Sequence, residues 1–234
     1  MSTITYNSVF GDIMANVPGV PDVVLASYMN KVAIDLCERA KIWRVNYAAV
    51  PIVPGTYDSS NNPLTIGQTD YTIASPVAGT ELSAVLLAKV YMTNAKKWYS
   101  IPPVTTEQVF HVAPDWPSIL DAGQPVALTR KDEATISIVP APDNADTYTL
   151  YLYCAIRPTL TATGMDGTLY ATYRRAIYHG VIHELMMMPK RPWTDETRAQ
   201  YHGKQWEFMV NSARARANKS FSRANISVVP APWA

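Results

Sequence analysis

The stretch Asp22-Val23-Val24-Leu25-Ala26-Ser27-Tyr28-Met29-Asn30-Lys31-Val32-Ala33-Ile34-Asp35-Leu36-Cys37-Glu38-Arg39-Ala40-Lys41 decides the fold. Leu25, Met29, Val32, Leu36 and Ala40 recur at helical spacing, and Asn30, Lys31, Asp35, Glu38, Arg39 and Lys41 cover the other side. The pattern predicts an amphipathic helix of about five turns. Asp22, directly after Pro18-Gly19-Val20-Pro21, is the expected N-cap. One helix cannot bury its own stripe, so partners must come from elsewhere in the chain.

Ahead of it, Ile4 to Val17 predicts a short helix. The other partners lie near the far end. After Asp166, a second N-cap candidate, Tyr170, Tyr173, Ile177, Val181 and Leu185 form one helical stripe. Ala176 and Gly180, one turn apart, would let another helix approach closely. Pro189 and Pro192 end this helix, and Trp193-Thr194 opens the next, with Asp195 and Glu196 where the helix dipole favours acids. Its expected stripe is Ala199, Trp206, Met209, Ala213 and Ala217, running to about Phe221.

Between Trp43 and Leu160 the pattern turns to β, punctuated by Pro51, Pro54-Gly55, Pro63, Pro76, Pro102-Pro103, Gly123, Pro125, Pro140 and Pro142. The β-prone runs are Leu82–Thr93, Val126–Thr129, Thr135–Val139 and Thr147–Ile156. In the last, Leu150, Leu152, Cys154 and Ile156 share one face and Thr149, Tyr151 and Tyr153 the other. Short strands with regular turn signals predict a small sandwich or open barrel, with a helical turn near Thr106–His111. The fold class is thus α+β. An antiparallel helical bundle forms from both chain ends (1–44 and 161–221), a small antiparallel β domain (45–160) is inserted, and an extended C-terminal arm comes last (222–234).

Hydrophobic residues make up 48% and charged residues 17%, below the roughly 25% charged share of an average soluble domain. That fits a protein that buries extra surface against neighbours, and it equally fits a plain β-rich domain. A net charge of +1 excludes a chain that is basic throughout. Cys37 and Cys154, both flanked by apolar residues, are expected to be buried free thiols. Met1–Tyr6 holds no basic region followed by an apolar run, so no signal peptide is expected. No apolar run approaches the roughly 20 residues that span a bilayer.

The most catalytic-looking run is His179-Gly180-Val181-Ile182-His183-Glu184. Histidines at i and i+4 can share a metal, but Gly180 stands where a zinc protease has its glutamate, and the inverted order fails too. A third ligand would have to be His111, His202 or a distant carboxylate. No nucleophile elbow, phosphate loop or dinucleotide fingerprint occurs. The expectation is therefore no catalytic residue, no cofactor and no metal.

Two features point to partners instead. After residue 197 the basic residues Arg198, Lys204, Arg214, Arg216, Lys219 and Arg223 face a single acid, Glu207. This is either a solvated helix face or a surface turned to polyanion, with Arg214, Arg216, Lys219 and Arg223 as DNA-channel candidates. The arm carries Ile226, Val228, Val229, Pro230 and Trp233 among prolines, where neither helix nor central strand is available to bury them.

Asp35-Leu36-Cys37-Glu38-Arg39, with Trp43-Arg44 soon after, resembles the N-terminal helix of phage head-to-tail adaptor (connector or neck) proteins. Ile136-Ser137-Ile138-Val139-Pro140-Ala141-Pro142 followed by Tyr148–Arg157 is similar to their paired strands after an I-x-P-x-P turn. Tyr173–Met188, Pro189-Lys190-Arg191-Pro192-Trp193, then Ala199 and Tyr201, resemble their G-x-x-x-x-L, M-P-x-x-P-W, A-x-x-Y block. The resemblance implies a structural virion protein of the neck, made in the host bacterial cytoplasm and free of membrane. It implies a ring of copies, usually a dodecamer, joining the portal protein to the tail or nozzle protein around a DNA channel. The arm then becomes a portal-docking segment. The alternatives are another tail or baseplate component whose β domain binds a partner or a glycan, and a metal-dependent hydrolase using His179 and His183.

Overall fold

The computed structural model describes residues 3–47, 50–51, 56–57, 63–65, 69–112, 122–143 and 147–219. The chain opens with strand β1 (Thr3–Thr5), a 3-10 turn (Tyr6–Val9) and helices α1 (Phe10–Met14) and α2 (Asp22–Ala40). Strands β2 (Arg44–Asn46), β3 (Val50–Pro51), β4 (Thr56–Tyr57), β5 (Pro63–Thr65), β6 (Asp70–Thr72), β7 (Thr80–Met92), β8 (Lys97–Ile101) and β9 (Pro103–Val104) precede helix α3 (Thr106–Val112). Next come β10 (Ala122–Gly123), β11 (Ala127–Arg130), β12 (Thr135–Val139), β13 (Ala141–Pro142) and β14 (Tyr148–Pro158). β15 (Gly164–Asp166), α4 (Gly167–Met186) and α5 (Glu196–Asn218) complete the described chain. The protein is mixed α and β, with mainly antiparallel sheets. It divides into two compact units, one built from residues 1–42 and the chain from 160 onward, the other from 43–159.

In the first unit α2 packs on α4 and α5, and α4 packs on α5. Leu25, Met29, Val32, Leu36 and Ala40 are all buried, as are Tyr170, Tyr173, Ile177, Val181 and Leu185. α2 is stopped by Lys41, whose left-handed backbone (φ 49°) lets its N–H donate to the Cys37 carbonyl at 2.9 Å. Asp166 caps α4 by accepting from the backbone N–H groups of Thr168 and Leu169, each at 3.0 Å. Asp195 caps α5 in the same way through Arg198.

Three local expectations are corrected. Residues 4–17 do not form one helix, because Thr3–Thr5 pairs antiparallel with Gly164–Asp166. A β-branched triplet with an edge available is better satisfied as strand. The N-cap of α2 is Pro21, not Asp22, which is the first helical residue and makes no capping bond. Its charge still sits at the positive end of the helix dipole. On α5 the buried stripe is Ala199, His202, Trp206, Val210, Ala213 and Ala217. Met209 is only half-buried, since Val210 stands one full turn from Trp206.

In the second unit the strands form two principal sheets rather than one barrel. One runs β2-β14-β7-β8, with β3 also on β14, and the other runs β6-β12-β11-β9. The β14–β7 ladder extends from Tyr148↔Met92 to Pro158↔Thr80, with irregularities at Tyr153/Cys154 and Ala155/Ile156. Leu150, Leu152, Cys154 and Ile156 are buried, as the alternation predicts. The β9–β11 and β10–β13 pairs are parallel, which a purely antiparallel domain does not allow for. The Arg130 guanidinium of β11 donates to the Ser83 and Leu82 carbonyls of β7, at 2.5 and 2.9 Å, and so ties the two sheets together.

Candidate interaction surfaces

Both cysteines are free and buried, and burial pushes each thiol up to about 12. A thiol held protonated in this way is a packing group, not a nucleophile.

The histidines are positioned by the α4–α5 contact. His183 Nδ1 lies 2.8 Å from the Ala199 carbonyl oxygen; a carbonyl only accepts, so this nitrogen carries the proton. Gly203 makes room for that ring, because a Cβ there would stand 2.9 Å from two atoms of the His183 imidazole. His179 turns instead to His202, Nδ1 to Nδ1 at 2.9 Å. The pair in direct contact is therefore His179 with His202, and each of the two helix-spaced histidines has its Nδ1 committed to another group. His111 lies on α3, in the other unit. Among the described residues no group of three or more His, Cys, Asp or Glu side chains could hold a metal ion.

Facing Nδ1 atoms need one N–H and one lone pair, so the contact fails when both rings are protonated. Burial lowers both imidazoles from their ordinary value, with Arg175 adding at His179, and His179, Arg198 and His183 adding at His202. The unfolded chain thus takes up protons that the folded one refuses. This stabilisation is complete above the ordinary histidine value of about 6.5 and is lost as pH falls below it toward the lowered folded values. The melting temperature is expected to drop from about pH 7 to pH 5, and replacing both His179 and His202 by glutamine is expected to flatten that drop. Thermal melts across the window check this, and an unchanged slope in the double variant would refute it.

The basic stretch is arranged by helix geometry. Glu207, its only acid, is held by the Arg39 fork of α2: Nη1 donates to Oε1 at 2.8 Å and Nη2 to Oε2. That bond holds its carboxyl below the usual range. Arg198 donates to Asn16 Oδ1 at 3.2 Å. Arg214, Arg216 and Lys219 are exposed at the end of α5. Two positions along a helix turn by roughly 200°, so Arg214 and Arg216 stand on opposite flanks, while Arg216 and Lys219 share one. Arg223 and the arm residues Ile226, Val228, Val229, Pro230 and Trp233 lie outside the described residues.

One surface is not visible in the sequence. In the second unit Trp98 of β8 lies opposite Tyr91 of β7, and its ring centroid is 4.8 Å from those of both Tyr91 and Tyr151. Tyr151 belongs to β14, on the far side of β7, opposite Lys89. The indole therefore reaches across β7 and joins three strands in one aromatic ridge. Trp98 remains 54% exposed. Alternation places Tyr151 on the outer face, but Trp98 joins it only once strand order is known.

The first unit also holds an open cleft of 630 Å³, lined by Asp12, Arg174, Arg175, Tyr178, His179 and Gln205 among others. Arg174 pairs there with Asp12 at 3.3 Å. No described helix is long and apolar enough to cross a membrane.

No curated protein matches the sequence significantly. The family comparison, in contrast, matches residues 4–228, through both units and into the C-terminal segment. The block-by-block likeness to phage head-to-tail adaptors thus extends to nearly the whole chain, and the chain belongs to the SU10 adaptor protein family.

Proposed function

We propose that this protein is a structural, non-catalytic component of a phage virion, the head-to-tail adaptor. Copies form a ring, a dodecamer in the usual arrangement, which sits in the neck between portal protein and tail or nozzle protein and lets DNA pass. The observation that carries this reading is the family match over residues 4–228. In this reading the helices from both chain ends (1–44 and 161–221) make the ring body. The inserted domain (45–160) offers surface to a partner, and the arm (222–234) docks on a neighbour, the portal or the adjacent adaptor copy. The chain is made in the host bacterial cytoplasm and stays monomeric until the portal presents a template, when the arm docks and the ring closes.

Arg214, Arg216, Lys219 and Arg223 are the proposed channel-facing charges. Contact with passing DNA needs phosphate neutralisation without base readout, so it is steeply salt-dependent and indifferent to sequence. Incubating the protein with portal-bearing heads is expected to place a ring on the portal vertex in electron micrographs. Arg214→Gln, Arg216→Gln and Lys219→Gln together are expected to leave that ring intact but impair genome retention or ejection. Absence of any ring would sink the adaptor reading, and full infectivity of the triple variant would return these residues to a solvated face.

A further inference from the structure

We propose that the cleft between α1, α4 and α5 is a phosphate-binding site for passing duplex DNA, with Arg175 as its main contact, and that it continues the row of charge begun by Lys219 and Arg216. The inference rests on the channel reading and deepens it by naming the flank of the helical unit that DNA touches.

Helix geometry assembles the row. Gln205 and Met209 of α5 line the cleft, and Arg216 stands about two full turns beyond Met209, so it falls on the same flank. Arg198 stands about two turns before Gln205 and shares that flank too. Arg198, Arg216 and Lys219 are all exposed, and from the first to the last the helix rises about 30 Å. α4 runs back along α5, bringing His179 to His202 and His183 to Ala199. It thereby places Arg174 and Arg175 in the middle of the row, in the cleft that Gln205 also lines.

The two flanks of α5 differ in charge balance. On the flank toward α2 the acids are matched: Arg39 holds Glu207, and Lys31 pairs with Glu184 of α4 at 2.7 Å. On the cleft flank the only lining acid is Asp12, and Arg174 pairs with it at 3.3 Å. Among the described residues no acid pairs with Arg175. A guanidinium without a counter-charge in a concave site attracts an anion and presents a fork of donors to it. The Tyr178 hydroxyl and the Gln205 amide line the same cleft as further donors. Gly11 and Ala15 form small walls, which leaves the 630 Å³ open where longer side chains would fill it. The row decides which anion. Cations repeated over about 30 Å suit a polyanion that carries one phosphate per strand about every 3.4 Å of its axis, rather than a single small ion. Such contacts position a duplex without reading its sequence.

The test titrates fluorescein-labelled duplex DNA with the full-length protein and follows anisotropy as salt rises from about 50 to about 200 mM. Arg175→Gln is expected to weaken binding on the order of tenfold at the lower salt, and to make the slope of log affinity against log salt shallower by about 0.9. Arg216→Gln with Lys219→Gln is expected to shift the slope by roughly twice as much. Arg175→Lys keeps the charge and is expected to keep the slope. Lys204→Gln removes one charge from the other flank of the same helix, beside Glu207, and is expected to change neither quantity. Arg175 and Lys204 are both exposed, so neither replacement disturbs the core. An unchanged slope in Arg175→Gln overturns the inference, as does the absence of DNA binding at low salt. An equal loss in Lys204→Gln overturns it in favour of a diffusely basic helix. Tighter binding of poly-glutamate than of duplex DNA overturns it in favour of an acidic protein partner. The adaptor reading is judged separately, by the ring on portal-bearing heads. A normal ring beside a failed titration leaves the adaptor function standing, and a normal titration without a ring removes that function and leaves the phosphate site.

Discussion

Replacing Gly180 by valine is expected to destabilise the helical unit severely, whereas Gly11→Ala on α1 is expected to be neutral or mildly stabilising. A Cβ at position 180 would stand 2.7 Å from Val32 Cγ1 and 2.9 and 3.1 Å from two atoms of the Trp206 indole. Val32 belongs to α2 and Trp206 to α5, and both are buried, so α4 is gripped from two sides at this position. Alanine there gains about 1 kcal/mol of helix propensity over glycine but meets an overpacking cost of typically 1–3 kcal/mol. Valine adds two methyl groups with a nearly fixed χ1, so neither neighbour can be avoided by rotation, and the cost is expected to exceed about 3 kcal/mol. For a chain of this length each kcal/mol lowers the melting temperature by roughly 2–4 °C. A fall of more than about 6 °C in a thermal melt is therefore expected. Gly11 has nothing within 4 Å of a built Cβ and controls for the backbone effect. A valine variant that melts like the parent would show that α2 and α5 do not close on α4 as described.

The close approach at Gly180 is legible in the sequence because two small residues one turn apart sit beside a continuous apolar stripe. α2, the Asp166 cap and the alternation of β14 are legible for the same reason: each is a local pattern that burial reinforces. The features that escape such reading depend on partners far away in the chain. Thr3–Thr5 becomes a strand only because Gly164–Asp166 offers an edge, and a Cβ at Gly164 would stand 2.4 Å from the Ile4 carbonyl oxygen. His179 looks like half of an i, i+4 pair until α5 brings His202 to it. The count of basic residues after position 197 is correct but silent on direction. Helix geometry divides Arg214 from Arg216, and Arg39, far upstream, engages the only acid. The aromatic ridge needs strand order, since Trp98 and Tyr151 are joined across a strand whose own residues give no hint of the contact.

Deleting residues 222–234 is expected to leave the melting temperature nearly unchanged and to abolish stable attachment to portal-bearing heads. The described part of α5 ends at Asn218, and its C-cap residue Lys219 donates its N–H to the Ala215 carbonyl at 3.2 Å. The cut therefore falls beyond the last described bond of the helix. The stripe from Ala199 to Ala217 is buried against α2 and α4, upstream of the cut. Ile226, Val228, Val229 and Trp233 would each gain on the order of 1.5–3 kcal/mol if taken out of water. Pro230 and Pro232 reduce the entropy the segment loses on docking, so more of that gain survives as affinity. On the adaptor reading proposed above, such a segment fastens each copy to its neighbour, the portal or the adjacent adaptor. Without it, that reading leaves each copy only the contacts of its remaining surface. Heads assembled with the truncated protein are accordingly expected to package DNA and then lose it, while the purified truncated chain melts as the full chain does. Calorimetry of the free protein and sedimentation of the filled heads read the two halves separately. If the truncated chain instead unfolds, the segment packs on its own helices, and its role in docking is withdrawn.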